Sequence, residues 1–170
     1  LRPLVLDATP LIYLCKIGYA SMFAEFPERR VTTPRVLGEV VDRGKELGAA
    51  DAFAVEELIQ GRIIEITTLK DKGLMERLLK ISDLHPAEAE VLALAKEMDG
   101  TAVTDEGIAR RVARVYGIRA HGTAYLLMRL VHRGRIPREE AKRAVDKMIS
   151  AGWYLAAEDY AKLMKMLEMG

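Results

Sequence analysis

The chain has 170 residues, half of them apolar and 30% charged, with a formal net charge of +1; this is enough to bury the core of one domain and too apolar for disorder. No run approaches the roughly 18 apolar residues of a membrane span. The N-terminus lacks the segments of a signal peptide, and the single cysteine, Cys15, has no partner for a disulfide or a zinc site, so a cytoplasmic protein without membrane attachment is expected.

Leu4-Val5-Leu6 is an apolar run flanked by Arg2-Pro3 and closed by Asp7, the pattern of a fully buried strand that delivers a carboxylate at its carboxyl end. In open α/β sheets that end is where ligands bind. Thr9 and Pro10 read as N-cap and first residue of a helix running to Lys16, ended by Gly18. A short helix, Tyr19 to Phe26, stops at Pro27; Val31-Thr32-Thr33 makes a second strand, and Pro34 opens a helix to about Leu47. On that helix Val36, Leu37, Val40, Val41 and Leu47 share one arc, with Arg35, Asp42 and Glu46 opposite. Glu39 falls just beyond the apolar rim, where it either leans over the sheet edge or faces water.

Ala49 to Gln60 reads as a helix ended by Gly61, Arg62 to Thr67 as a strand carrying Ile63, Ile64 and Ile66, and Leu69 to Ile81 as a further helical piece. From Pro86 onward Ala87, Val91, Leu92, Leu94, Ala95 and Met98 define a buried arc, and Glu88 lies inside it. A glutamate on a buried face needs a partner. Two are open: the backbone at the helix start, as half of a capping box on His85, or a cation in the crevice.

Thr101-Ala102-Val103-Thr104 repeats the arrangement at Asp7, a strand that ends in Asp105-Glu106. The following helix places Ile108, Val112, Val115 and Tyr116 on one side and Arg110, Arg111 and Arg114 on the other, a basic face that is either solvated or meets nucleic acid. Residues 1–104 sum to −4 and residues 105–148 to +6, so the basic third adjoins an acidic front. Gly117 to Ala120 suggests a last strand, followed by helices from Gly122-Thr123 to about Arg133, from Pro137, and from about Ala157 with Tyr160, Leu163, Met164 and Leu167 along one stripe.

The order of elements predicts a three-layer α/β/α fold with a short parallel sheet of four or five strands and extra C-terminal helices. The phosphate-loop, dinucleotide, zinc-protease and serine-hydrolase motifs are absent from the sequence. What remains is Asp7, Glu39, Glu88 and Asp105, with Glu106 adjoining, near one end of the sheet. Carboxylates brought together raise one another's pKa unless a cation intervenes, and hard oxygen donors select Mg²⁺ or Mn²⁺. Such a set suits attack of water on a phosphodiester.

The stretch Asp7 to Ile12, the Glu39 helix, Glu88 to Ala95 and Val103-Thr104-Asp105-Glu106 together resemble the successive motifs of PIN-domain ribonucleases. From Asp105 through Arg110-Arg111, Gly117-Ile118 and Gly122-Thr123 the chain is similar to a prokaryotic subgroup related to the toxins of toxin–antitoxin pairs. The resemblance covers roughly residues 3–135 and divides the chain into a PIN-like domain, 1–135, and a C-terminal helical extension, 136–170, packed on it. It implies a metal-dependent endoribonuclease acting on RNA, commonly a homodimer and often silenced by a small antitoxin. It makes Asp7, Glu39, Glu88 and Asp105 the acidic, metal-binding set, with Thr9, Thr104 and Glu106 in support; Arg110, Arg111 and Arg114, from the basic helix face, are the expected RNA contacts. Two departures stand out: the third acid is Glu88 where many members have aspartate, and the fifth position is Glu106 rather than a second aspartate. The competing reading is a PIN-like module that binds RNA or protein without cutting.

Overall fold

The computed structural model describes residues 1–46 and 48–169. Its centre is a parallel sheet of five short strands: β1 (Leu4–Leu6), β2 (Arg30–Thr32), β3 (Glu65–Ile66), β4 (Thr101–Val103) and β5 (Arg119–His121), in the order β3-β2-β1-β4-β5. Every residue of β1 and β4 is buried, as expected of central strands covered on both faces; β1 is wholly apolar and β4 departs from that only at Thr101. The edge strands alternate or stay partly open. Register sets Leu4 beside Arg30 and Thr101, and Leu6 beside Val103. The ladder continues one step past the strands, because Asp7 N donates to Val103 O at 3.0 Å and Thr104 N to His121 O at 2.8 Å. Asp7 and Thr104 therefore leave the sheet side by side at its carboxyl end.

Helices α1 (Ala8–Lys16), α4 (Ala50–Gln60), α6 (Pro86–Glu97), α7 (Gly107–Val115), α8 (Thr123–His132) and α9 (Arg138–Ser150) flank the sheet, giving the expected α/β architecture. Between them lie α2 (Pro34–Leu37), α3 (Arg43–Glu46) and α5 (Gly73–Leu78), and α10 (Ala157–Met169) closes the chain. Helix α6 packs on β1 and β4 through Val91, Leu92, Leu94 and Ala95, all nearly inaccessible. Each buried valine or leucine among them contributes about 1.5–3 kcal/mol by leaving water, and the alanine methyl about 0.8 kcal/mol. Helix α9 rests on α1 and α8, and α10 on α9. None of the described helices is long and apolar enough to cross a membrane.

Several local expectations are corrected. Helix α1 begins at Ala8, with Asp7 rather than Thr9 as its N-cap: Asp7 Oδ1 accepts from Ala8 N at 2.8 Å. The carboxylate at the strand end takes the cap because the chain turns into the helix without a spacer. The Pro34 helix is not uniform: α2 passes into a π-helical turn over Gly38–Asp42 before α3. One extra residue per turn breaks the 100° stepping used to place Glu39, and π-turns recur at functional sites. Leu47, expected on the same arc, lies outside the described residues. The strand expected over 62–67 pairs only at Glu65–Ile66, and the piece expected over 69–81 is helical only at Gly73–Leu78. Val115, expected in the core, is 82% exposed. On α7 the inward stripe is Ala109, Val112 and Ala113, so small residues that allow close approach mark the contact rather than the branched ones.

Candidate active site

Asp7 is 4% exposed, and both its oxygens are occupied. Oδ1 caps α1, and Oδ2 accepts from the Thr104 hydroxyl at 2.8 Å. The Thr104 oxygen in turn accepts from Glu106 N at 3.3 Å, so one buried hydroxyl links the ends of β1 and β4 and fixes the chain where it turns into α7. Burial pushes the Asp7 carboxyl up to about 6, opposed by these two hydrogen bonds and assisted by repulsion from Glu39 and Glu106.

Glu88 sits on the buried face of α6 and meets the first of its two open readings. Its Oε2 accepts from His85 N at 3.1 Å, the backbone half of a capping box. It also stands within electrostatic reach of Asp7 and Glu106; burial first, and then these two charges, push its carboxyl up to about 7. Glu39, from the π-turn, is exposed and acts on Asp7 from the rim. Asp7, Glu88 and Glu106 thus bear on one another electrostatically at the end of β1 and β4, and Glu39 adds its charge to Asp7 from the rim.

Asp105 is held elsewhere. Its Oδ1 accepts from Thr123 N at 2.8 Å, and its Oδ2 from the Thr123 hydroxyl at 2.6 Å and from Trp153 Nε1 at 3.1 Å. These bonds turn it toward the first residue of α8, whose backbone N–H groups favour a carboxylate. A carboxylate has about four acceptor sites, so Asp105 keeps one free, Asp7 two and Glu88 three. Among the described residues no three His, Cys, Asp or Glu side chains already form a metal cage. The donor set nonetheless fits a hard divalent cation: carboxylate oxygens only, two of them buried and raised in pKa first by that burial and then by repulsion from neighbouring carboxylates.

The basic face adjoins this end of the sheet. Arg110, Arg111 and Arg114 are exposed and, with Gly107, Ile118 and Ala120, line a shallow groove of about 460 Å³. A wider cleft of about 990 Å³ runs past Thr9, Asp105, Glu106 and Arg110 toward α10.

The family model DUF3368, described as a PIN domain, matches residues 3–169. The chain belongs to the PIN-domain family. Its fold agrees with that of a PilT N-terminus domain protein, SSO1118, from the hyperthermophilic archaeon Sulfolobus solfataricus P2, with a TM-score of 0.52 and 16% identity over 74% of this chain and 91% of that one. A domain of a functionally unknown protein from Methanocaldococcus jannaschii DSM 2661 aligns over 72% of this chain and 91% of that one, with a TM-score of 0.49 and 17% identity. Among curated protein sequences none matches. PIN domains are generally a nuclease fold and usually use divalent metals, which ties this chain to nucleic-acid-related function.

In this PIN domain sequence reasoning overlooked three residues that shape the site. Thr123 is fully buried and meets Asp105 with both its N–H and its hydroxyl. Gly122 lets that carboxylate approach, since a Cβ there would stand 2.6 Å from Asp105 Oδ1. Trp153 reaches Asp105 from the segment between α9 and α10. The Gly122-Thr123 helix start was visible, and an acidic partner for its N–H groups was the signal it offered. Nothing local to Trp153 points to a residue 48 positions away.

Proposed function

We propose that this PIN domain is a Mg²⁺- or Mn²⁺-dependent endoribonuclease that hydrolyses phosphodiester bonds in single-stranded or structured RNA. The observation that carries the reading is a pair of buried carboxyls, Asp7 at the carboxyl end of the central strands and Glu88 on the inner face of α6, close enough to each other and to Glu106 for their charges to interact. Asp7, Glu88 and Glu106 would hold the cation, with the free acceptor site of Asp105 and the rim charge of Glu39 completing the acidic set. The bound cation supplies Lewis acidity, lowering the pKa of an attacking water and offsetting charge on the phosphate. The chain's own residues do the rest. Thr104 fixes Asp7 and the backbone of Glu106; Thr123 and Trp153 fix Asp105. Glu88, bonded through one oxygen only, keeps its other oxygen free for the cation. Thr9, at the start of α1, lines the cleft beside Glu106. Arg110, Arg111 and Arg114 meet backbone phosphates, and unstacked strands are the form of RNA that proteins read most easily.

Residues 136–170 are read as an extension of the same domain, supported by the packing of α9 on α1 and α8. A toxin role, with a small antitoxin as partner, a homodimer and a cytoplasmic setting, belongs to the same proposal and rests on the resemblance of 105–123 to that subgroup. A second reading, a module that grips RNA or protein without cutting, is favoured by one observation: Asp105 is committed to three donors rather than to the cluster. Incubation of a mixed RNA pool with Mg²⁺, Mn²⁺ or EDTA separates the two. Cleavage that needs metal and disappears in Glu88→Gln supports the enzyme. RNA retained intact by a protein that binds it supports the module.

A further inference from the structure

The lining of the cleft beside the acidic site is mixed in chemistry. It includes polar and acidic residues, Thr9, Asp105 and Glu106, and large apolar or aromatic ones, Tyr125, Tyr154 and Met166. Trp153 joins them: it is buried, lines the cleft, and its Nε1–H donates to Asp105 Oδ2. The segment after α9 is thereby pinned against the acidic residues. Its next residue, Tyr154, is 84% exposed, so a large aromatic ring stands free on a backbone that its neighbour anchors. Of the other tyrosines lining the cleft, Tyr13 is half-buried and Tyr125 already has a partner, with His121 stacked on it at 4.1 Å and an interplanar angle of 14°. Arg110 and Lys162 bring positive charge to the same cleft, Lys162 beside Glu158 at 3.3 Å; Arg129 also lines it but is paired with Glu28, and Asp159 adds a carboxylate.

A free ring, two cations and continuity with the carboxylates suit a strand of nucleic acid more than a folded partner. The ring offers a π-face, which every base can use, and the cations offer contacts to the backbone. We propose that the cleft is a base-binding subsite for single-stranded RNA, in which an unstacked nucleobase lies on Tyr154 while Arg110 and Lys162 meet the adjoining phosphates. The proposal rests on the nuclease reading, since it takes the strand in the cleft to be the one whose phosphate lies among Asp7, Glu88 and Glu106. Stacking of this kind tolerates all four bases, so the subsite sets strandedness and register rather than sequence.

Trp153 is the only tryptophan in the chain and reports directly from the cleft. The full chain in EDTA is titrated with a short oligouridylate and with an abasic oligomer of equal length, following Trp153 fluorescence. The expected result is a saturable change with the oligouridylate at concentrations about 5- to 100-fold below those needed for the abasic strand, the range for one aromatic–base stack. Tyr154→Ala closes that gap and Tyr154→Phe preserves it; both remain folded by circular dichroism, because the side chain packs little. Equal affinity of the wild-type protein for the two oligomers overturns the proposal and leaves the wall to a protein segment. So does a gap that persists in Tyr154→Ala. The titration needs no metal and no turnover, so failure of the nuclease reading, seen as uncut RNA with every divalent cation, is recorded by a separate assay.

Discussion

Replacing Asp7 by asparagine should stabilise the metal-free protein at neutral pH while removing its activity. The carboxyl has an ordinary value of 3.8 and is pushed up to about 6 in the fold, so the folded state holds its proton more tightly than the unfolded chain does. Below about pH 4 both states are protonated and the group is neutral in the ledger. Between pH 4 and 6 the folded state binds more protons, so stability falls as pH rises. Above about pH 7 both are ionised and the folded state carries the full cost of a buried charge. A shift of about 2 units corresponds to about 3 kcal/mol at most. Asparagine matches the shape, keeps an oxygen for Ala8 N–H and can offer its amide to the Thr104 hydroxyl. At about 2–4 °C per kcal/mol for a domain of this size, Asp7→Asn in EDTA at pH 8 should melt several degrees above the wild-type protein, and the two should converge near pH 4. Scanning calorimetry at both pH values reads this directly. A variant that melts at or below the wild type at pH 8 would refute the idea that an uncompensated carboxylate sits at the end of β1. Adding Mn²⁺ should reverse the order, because only the wild type gains from binding.

Thr104→Val keeps the volume but removes the hydroxyl that joins Asp7 to the Glu106 backbone. Urea denaturation should register a loss of about 1.5–3 kcal/mol at pH 8, the usual worth of a hydrogen bond to a charged group, together with weaker Mn²⁺ binding; an unchanged midpoint contradicts the link. Gly122→Ala places a methyl 2.6 Å from Asp105 Oδ1, so Asp105 must swing off Thr123; cleavage should drop with only a modest change in melting temperature, whereas unaltered kinetics would detach Asp105 from function. Changing Arg110, Arg111 and Arg114 to glutamine together should weaken RNA binding regardless of sequence. It should also flatten the dependence of log affinity on log salt by about 0.7 per lost phosphate contact, and an unchanged slope would return the basic face to solvent.

How legible the site was in the sequence depends on the distance over which each feature is specified. Asp7 was readable because β1 is an unbroken apolar run, and burial on both faces follows from composition alone. Glu88 was readable because α6 keeps an undisturbed helical period, so a charge within the apolar arc stands out. Of its two candidate partners, the structure shows the His85 backbone, bonded to Oε2, and the cation belongs to the proposal. Glu39 was harder, since the π-turn at Gly38–Asp42 spends an extra residue and no propensity announces it. Val115 was misplaced because branched residues were weighted over Ala109 and Ala113, although small residues are what let α7 lie close. Asp105 looked like a twin of Asp7, a carboxylate one step beyond a strand. Its orientation is decided by Thr123 and Trp153, 18 and 48 residues away, and pairings at that range leave no local trace.

The central claim is that Asp7, Glu88 and Glu106 form a binding site for a hard divalent cation. Anomalous diffraction from a crystal soaked in Mn²⁺ tests it without relying on any substrate. A peak within coordination distance of Asp7 and Glu88, at the carboxyl end of β1 and lost in Asp7→Asn, is the predicted result. Manganese found only at other surface carboxylates, or bound equally by Asp7→Asn, would contradict it.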